Sequence, residues 1–62
     1  MPFVNVKLVE GRTPEQKQEL ARRITEDIQE VFHTGAEHVW VTFDDVPAAE
    51  WFIAGKALGP RR

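Results

Sequence analysis

The sequence predicts an α/β fold: a single β-α-β unit with parallel strands, followed by a short C-terminal hairpin. Three observations predict it: apolar residues alternate near the start of the chain, a stripe of helical period follows, and a β-branched and aromatic run comes after it. A strand, a helix and a strand in this order form a right-handed crossover between parallel strands. We expect residues 1–62 to form one domain.

The first strand is predicted over residues 3–9, because Val4, Val6 and Leu8 form an apolar row at strand period. Gly11 then breaks the strand. The opposite row mixes apolar and polar side chains: Phe3, Asn5, Lys7 and Val9. This mixture indicates a face that meets something other than the domain's own core.

The helix is predicted from Pro14 to about His33. Thr13 can cap its first turn and Gln16 completes a capping box. Proline suits the first helical position because it has no N–H to leave unpaired. Gly35 is the predicted left-handed C-terminal cap. The apolar stripe has spacings of three and four residues: Leu20, Ala21, Ile24, Ile28, Val31 and Phe32.

A second strand is predicted over residues 39–43, with Trp40 alternating away from the row that faces the helix. Residues 51–56 are expected to form a short strand or hairpin. Two parallel strands and one helix leave a sheet face and both edges uncovered. A chain this short hides only about 60 % of the surface that its unfolded form exposes. Because cysteine is absent, we expect oligomerisation to supply the missing stability.

Composition excludes several classes of function. With 42 % hydrophobic and 29 % charged residues the chain is an ordinary globular domain, and its net charge of −2 lacks the basic footprint of a nucleic-acid binder. The start of the chain has neither a signal peptide nor a spanning segment, so we expect a cytoplasmic protein without a membrane partner.

Two histidines cannot complete a zinc site, and no phosphate loop, serine or cysteine is present. We therefore expect neither a metal nor a cofactor.

Pro2 is the candidate catalytic residue. If Met1 is removed, as is common before a small residue, Pro2 carries a secondary amine that can act as a general base or a nucleophile. Such an amine is mostly protonated in water, and a nearby cation would favour its neutral form. Arg12 is a suitable cation and could also bind a carboxylate through its planar fork. The two residues stand roughly 30 Å apart along an extended strand, so they can cooperate only across a subunit interface.

The sequence resembles the 4-oxalocrotonate tautomerase family along essentially its whole length. The resemblance rests on the Met1-Pro2 start, the 8–17 segment Leu-Val-Glu-Gly-Arg-Thr-Pro-Glu-Gln-Lys, the β-α-β order, and Trp51 just before Ile-Ala-Gly-Lys. It implies a homohexamer, built as a trimer of dimers, that moves a proton between carbons of an unsaturated 2-oxo acid. Pro2 would be the base, Arg12 of a neighbouring subunit would bind a substrate carboxylate, and Trp51 would form an aromatic wall.

One position departs from the family. The resemblance implies a second arginine in the second strand, where this chain has Trp40. Either another group supplies the charge, or the substrate differs, or proton transfer is slow; we favour an altered substrate, with Trp40 at the substrate site. Candidate substitute cations are Lys7, Lys56, Arg61 and Arg62. An interface role for either tryptophan, and a catalytically silent structural or binding module, remain as alternatives.

Overall fold

The structure, a computed structural model, describes residues 2–59. Its elements are β1 (Phe3–Val9), α1 (Pro14–Phe32), β2 (Trp40–Val46), β3 (Phe52–Ile53) and β4 (Lys56–Ala57). Strands β1 and β2 pair in parallel, and β3 and β4 form an antiparallel hairpin. The predicted β-α-β unit with a C-terminal hairpin is therefore confirmed. Single 3₁₀ turns precede β2 and the hairpin, at Ala36–His38 and Ala48–Glu50.

The two-stranded sheet has one face toward α1 and one face away from it. Val4 and Val6 of β1 and Val41 and Phe43 of β2 are half-buried on the helix side. The alternate positions of β1 are exposed up to Lys7, which confirms the predicted alternation, and Val9 at the end of the strand is half-buried. We call the side away from the helix the outer face; it carries Phe3, Asn5 and Lys7 of β1 and Trp40, Thr42 and Asp44 of β2.

Strand β2 begins one residue later and ends three residues later than predicted. Acidic residues are poor strand formers, yet Asp44 and Asp45 remain in β2, where they pair in register with Lys7 and Leu8 to the end of both strands. Their side chains form ion pairs with Lys7 and Lys17 respectively. At the other end, the N–H of Val39 donates to the carbonyl of the 3₁₀ turn instead of joining the sheet.

The start of α1 is as predicted. Thr13 Oγ1 accepts a hydrogen bond from the Gln16 N–H at 3.1 Å, and Gln16 Oε1 accepts one from the Thr13 N–H at 3.0 Å. The helix ends at Phe32, within one residue of the predicted end. The predicted left-handed cap at Gly35 is wrong: His33, with φ of 57°, takes that position, and Gly35 has φ of −79°. One left-handed residue is enough to end a helix, and histidine tolerates this conformation better than most residues with side chains.

The solvent-facing side of α1 carries an ion-pair network. The carboxylate of Glu19 accepts hydrogen bonds from Arg22 and Arg23, and these bonds lower its pKa to about 2. Arg22 also pairs with Glu26 at 2.8 Å. Exposed pairs of this kind contribute little stability. They do show that both helix arginines have acidic partners.

None of residues 2–59 is fully buried. The Cα radius of gyration is 14.8 Å, whereas a compact chain of this length has about 11 Å, and the shortest dimension is 13 Å. Large apolar side chains are exposed on both faces and in the hairpin: Phe3, Leu20, Val31, Phe32, Trp40, Phe52, Ile53 and Leu58. The described residues thus lack the buried core that a stable domain needs, and much of this apolar surface requires covering by other chains.

Within residues 2–59, no helix is both long and apolar enough to cross a membrane.

We predict that folding is coupled to assembly. The melting temperature should rise with protein concentration, because assembly stabilises the folded chain by mass action. Circular dichroism melts over a hundredfold range of concentration, with sedimentation at each concentration, measure this. A chain that sediments as a monomer while keeping its native circular dichroism and an unchanged melting temperature would contradict the prediction.

We predict that Thr13→Ala lowers the free energy of unfolding by about 1 kcal/mol per chain, because it removes the acceptor of the capping box. Thr13→Ser keeps the hydroxyl and should retain most of that stability. Urea denaturation at one fixed protein concentration measures both. An equal loss in the two variants would assign the effect to the lost methyl group rather than to the cap.

Candidate active site

Pro2 lies at the amino end of the sheet, directly before β1. It is half-buried, and its carbonyl oxygen accepts a hydrogen bond from the Trp40 N–H at 3.0 Å. This bond extends the parallel ladder by one step and fixes Pro2 against the first residue of β2. The predicted site residues Pro2 and Trp40 are therefore neighbours within one chain.

Two aromatic residues mark this amino end on the outer face. Phe3 and Trp40 are opposite each other in the strand register, and their exposed fractions are 61 % and 56 %. Side chains at paired positions of adjacent strands lie on the same face and within contact reach. Sequence reasoning did not select Phe3, because its pairing with Trp40 depends on a register between residues far apart in the chain.

Beyond the aromatic pair, the outer face is polar. Asn5 Nδ2 donates to Thr42 Oγ1 at 2.7 Å, and Lys7 Nζ lies 3.4 Å from Asp44 Oδ2. Lys7, one of the predicted substitute cations, stands four residues from Phe3, about 13 Å along the strand. Its charge is matched by Asp44, so it is a poor candidate for a cation beside Pro2.

Arg12 lies at the opposite, carboxyl end of the sheet. Gly11, with φ of +128°, turns the chain out of β1 in a conformation that side chains disfavour, and the capped start of α1 follows. Arg12 is exposed and lines a cleft of about 310 Å³ together with Val6, Leu8, Gln16, Lys17, Leu20 and Phe43. Arg12 directly precedes Thr13, whose capping box fixes the backbone at the start of α1.

The guanidinium of Arg12 has no ion pair with another residue of the 2–59 segment. The ammonium of Lys17, in the same cleft, bonds the carboxylate of Asp45. The helix arginines are paired as well. The guanidinium of Arg12 is therefore available to an anion from outside the described residues, as a carboxylate-binding residue requires.

Trp51 belongs to the carboxyl end too, because it follows the end of β2 by five residues. It is half-buried. Its N–H donates to the Ala48 carbonyl at 3.3 Å, and its own carbonyl accepts from the Leu58 N–H at 2.7 Å. The Gly59 N–H also reaches the Ala48 carbonyl, at 3.1 Å. Trp51 is thus held at the base of the hairpin.

Each chain consequently presents two separate groups of candidate residues. The amino-end group consists of Pro2, Phe3 and Trp40, and the carboxyl-end group consists of Arg12 and Trp51. The length of β1 separates them, in agreement with the spacing argument from sequence. Of the remaining substitute cations, Lys56 is exposed in β4, and Arg61 and Arg62 lie outside the described residues.

Comparison with known proteins agrees with this architecture. The chain matches the tautomerase enzyme family over residues 2–61. It is 38 % identical over 58 residues to a 2-hydroxymuconate tautomerase of Bacillus subtilis, covering 94 % of each chain.

Solved structures share the fold. A crystal structure of a 4-oxalocrotonate tautomerase homologue, TTHB242, has a TM-score of 0.90 at 34 % identity, covering 100 % of this chain and 98 % of that one. A heterohexamer 4-oxalocrotonate tautomerase from Chloroflexus aurantiacus has a TM-score of 0.85 at 29 % identity, covering 94 % of each chain. The chain belongs to the tautomerase family and is an isomerase of the 4-oxalocrotonate tautomerase type.

Proposed function

We propose that the protein is a cytoplasmic, cofactor-independent homohexamer, a trimer of dimers, that interconverts enol and keto forms of small unsaturated 2-oxo acids. Its active site joins the amino-end group of one subunit to the carboxyl-end group of another. The observation that carries the proposal is the placement of Pro2 and Arg12 at opposite ends of an uncovered sheet, with no ion pair to Arg12 from residues 2–59. Assembly that covers the sheet can bring opposite ends of different chains together.

The proposed reaction moves one proton and needs no oxidant or reductant. The nitrogen of Pro2, exposed as an amine once Met1 is removed, takes the proton from the hydroxyl of the enol acid. The oxygen then forms a carbonyl, and the π electrons of the enol form a new C–H bond with the proton that the ammonium returns. The substrate is isomerised, and the amine of Pro2 is neutral again.

Pro2 must be neutral to act as this base. A cation close to an amine disfavours its protonated form, and exclusion of water does the same. In the proposed site, Arg12 of another subunit supplies the cation and Trp51 supplies an aromatic wall. The guanidinium also binds the substrate carboxylate, which orients the enol toward the proline nitrogen.

We predict separate kinetic effects at the two ends of the sheet. Pro2→Ala should lower kcat by about 10²- to 10⁴-fold, because it replaces the positioned secondary amine. Arg12→Ala should mainly raise KM, by about 10- to 100-fold, because it removes a charged bond present in ground and transition states alike. Ketonisation of 2-hydroxymuconate and of phenylenolpyruvate measures both.

Arg23→Ala is the matched control, since it removes an arginine that already has an acidic partner on the helix, and its KM should be unchanged. An unchanged rate in Pro2→Ala would end the proposal. So would the absence of activity in Met1-free protein, or mass spectra of protein from its native host that show Met1 retained.

A catalytically silent oligomer with a structural or binding role is the second candidate. The observation that favours it is Trp40, which occupies the position of the second arginine implied by the resemblance. An NMR titration of the Pro2 nitrogen separates the two functions. A pKa well below that of proline in water supports the enzyme, whereas an ordinary pKa supports the silent module.

A further inference from the structure

The surface beside Pro2 is apolar. Phe3 and Trp40 are paired in register on the outer face and are more than half exposed, and the backbone of Trp40 bonds that of Pro2 at 3.0 Å. Any molecule held against Pro2 from this side therefore meets two aromatic rings. Aromatic rings bind flat, apolar groups well and offer a carboxylate no charge compensation.

Cations are scarce around this surface. On the outer face of the described sheet, the cation closest to Phe3 in sequence is Lys7, about 13 Å along the strand and paired with Asp44. Lys17 is paired with Asp45, and Arg23 with Glu19. Among residues 2–59, Arg12 and Lys56 have no acidic partner, and Arg12 is the one of the two that lines a cleft. A substrate with one carboxylate would have its charge matched, whereas a second carboxylate near the rings would be desolvated without a partner.

We infer that Trp40 is a specificity-determining residue, which selects an enol acid with a single carboxylate and an apolar, preferably aromatic, tail. This inference rests on the proposed function. The carboxylate binds Arg12 of another subunit, the enol lies at the Pro2 nitrogen, and the tail packs against Trp40 and Phe3. Trp40 acts on the choice of substrate and takes no part in the proton transfer.

The test compares kcat/KM for two enols, phenylenolpyruvate with one carboxylate and a phenyl tail, and 2-hydroxymuconate with two carboxylates. We expect the wild type to favour phenylenolpyruvate by about tenfold or more, the size of discrimination that one apolar group gives in a fitted pocket. Trp40→Arg should reverse the preference, because it replaces the aromatic ring with a guanidinium that can bind the second carboxylate.

Two variants serve as controls. Thr42→Arg adds the same charge to the same face of β2, about 7 Å further along, and should leave the ratio of kcat/KM values unchanged. Trp40→Gln removes the ring without adding charge, and it should lower kcat/KM for phenylenolpyruvate about tenfold more than for 2-hydroxymuconate. Native mass spectrometry records the assembly of each variant. If Trp40→Arg does not assemble, the ratio of kcat/KM values in Trp40→Gln decides the test.

Three outcomes would overturn the inference while the proposed function stands. A wild type that does not favour the aryl enol is the first; a preference for the dicarboxylate would show that a further cation, such as Arg61 or Arg62, completes the site. An equal loss for both substrates in Trp40→Gln, with dissociation of the oligomer, would assign Trp40 to an interface. Reversal by Thr42→Arg would show a long-range charge effect. A wild type that converts neither enol would remove the proposed function and this inference together.

Discussion

A sheet of two strands with one helix cannot enclose a core, and the other properties of this protein follow from that constraint. The described chain is 13 Å thick in its shortest dimension, and the most protected side chains are only half-buried. Apolar residues such as Leu20, Phe32 and Ile53 are exposed in places far apart on the surface. Stability must therefore come from contacts between chains, and those contacts also decide which residues meet in a site.

The same constraint explains how the candidate site is divided. A single β-strand separates Pro2 from Arg12, so neither can assist the other inside one subunit. The ion pairs of the fold add to this division. Lys7 and Lys17 are matched by Asp44 and Asp45, whereas Arg12, at the carboxyl end, has no acidic partner among residues 2–59. The amino end is apolar by contrast. The carboxyl end therefore offers the charge of Arg12, and the amino end offers Pro2 as a base beside an aromatic surface.

Local patterns in the sequence were sufficient for much of this fold. Alternation placed β1 correctly, and the Thr13 to Gln16 capping box placed the start of α1, because both depend on neighbours in the chain. The end of β2 and the pairing of Phe3 with Trp40 were not predictable, since they depend on the register between two strands that are far apart in the chain. His33 was missed as the helix cap because glycine, the usual choice, stands two residues later. Pro2 and Arg12 were selected from the chemistry of proline and arginine, Trp40 and Trp51 from the resemblance to the tautomerase family, and the division between the two ends came from the topology.

The central claim is that one active site contains Pro2 from one chain and Arg12 from another, and subunit mixing tests it directly. Pro2→Ala and Arg12→Ala chains are unfolded together, refolded in equal amounts, and checked for mixed oligomers by native mass spectrometry. Random mixing in a symmetric assembly pairs an intact Pro2 with an intact Arg12 in about one quarter of the sites. The account predicts recovery of about a quarter of the wild-type kcat/KM, measured at a substrate concentration well below the wild-type KM, where sites without an intact Arg12 contribute little. Mixed oligomers no more active than the two variants alone would contradict it.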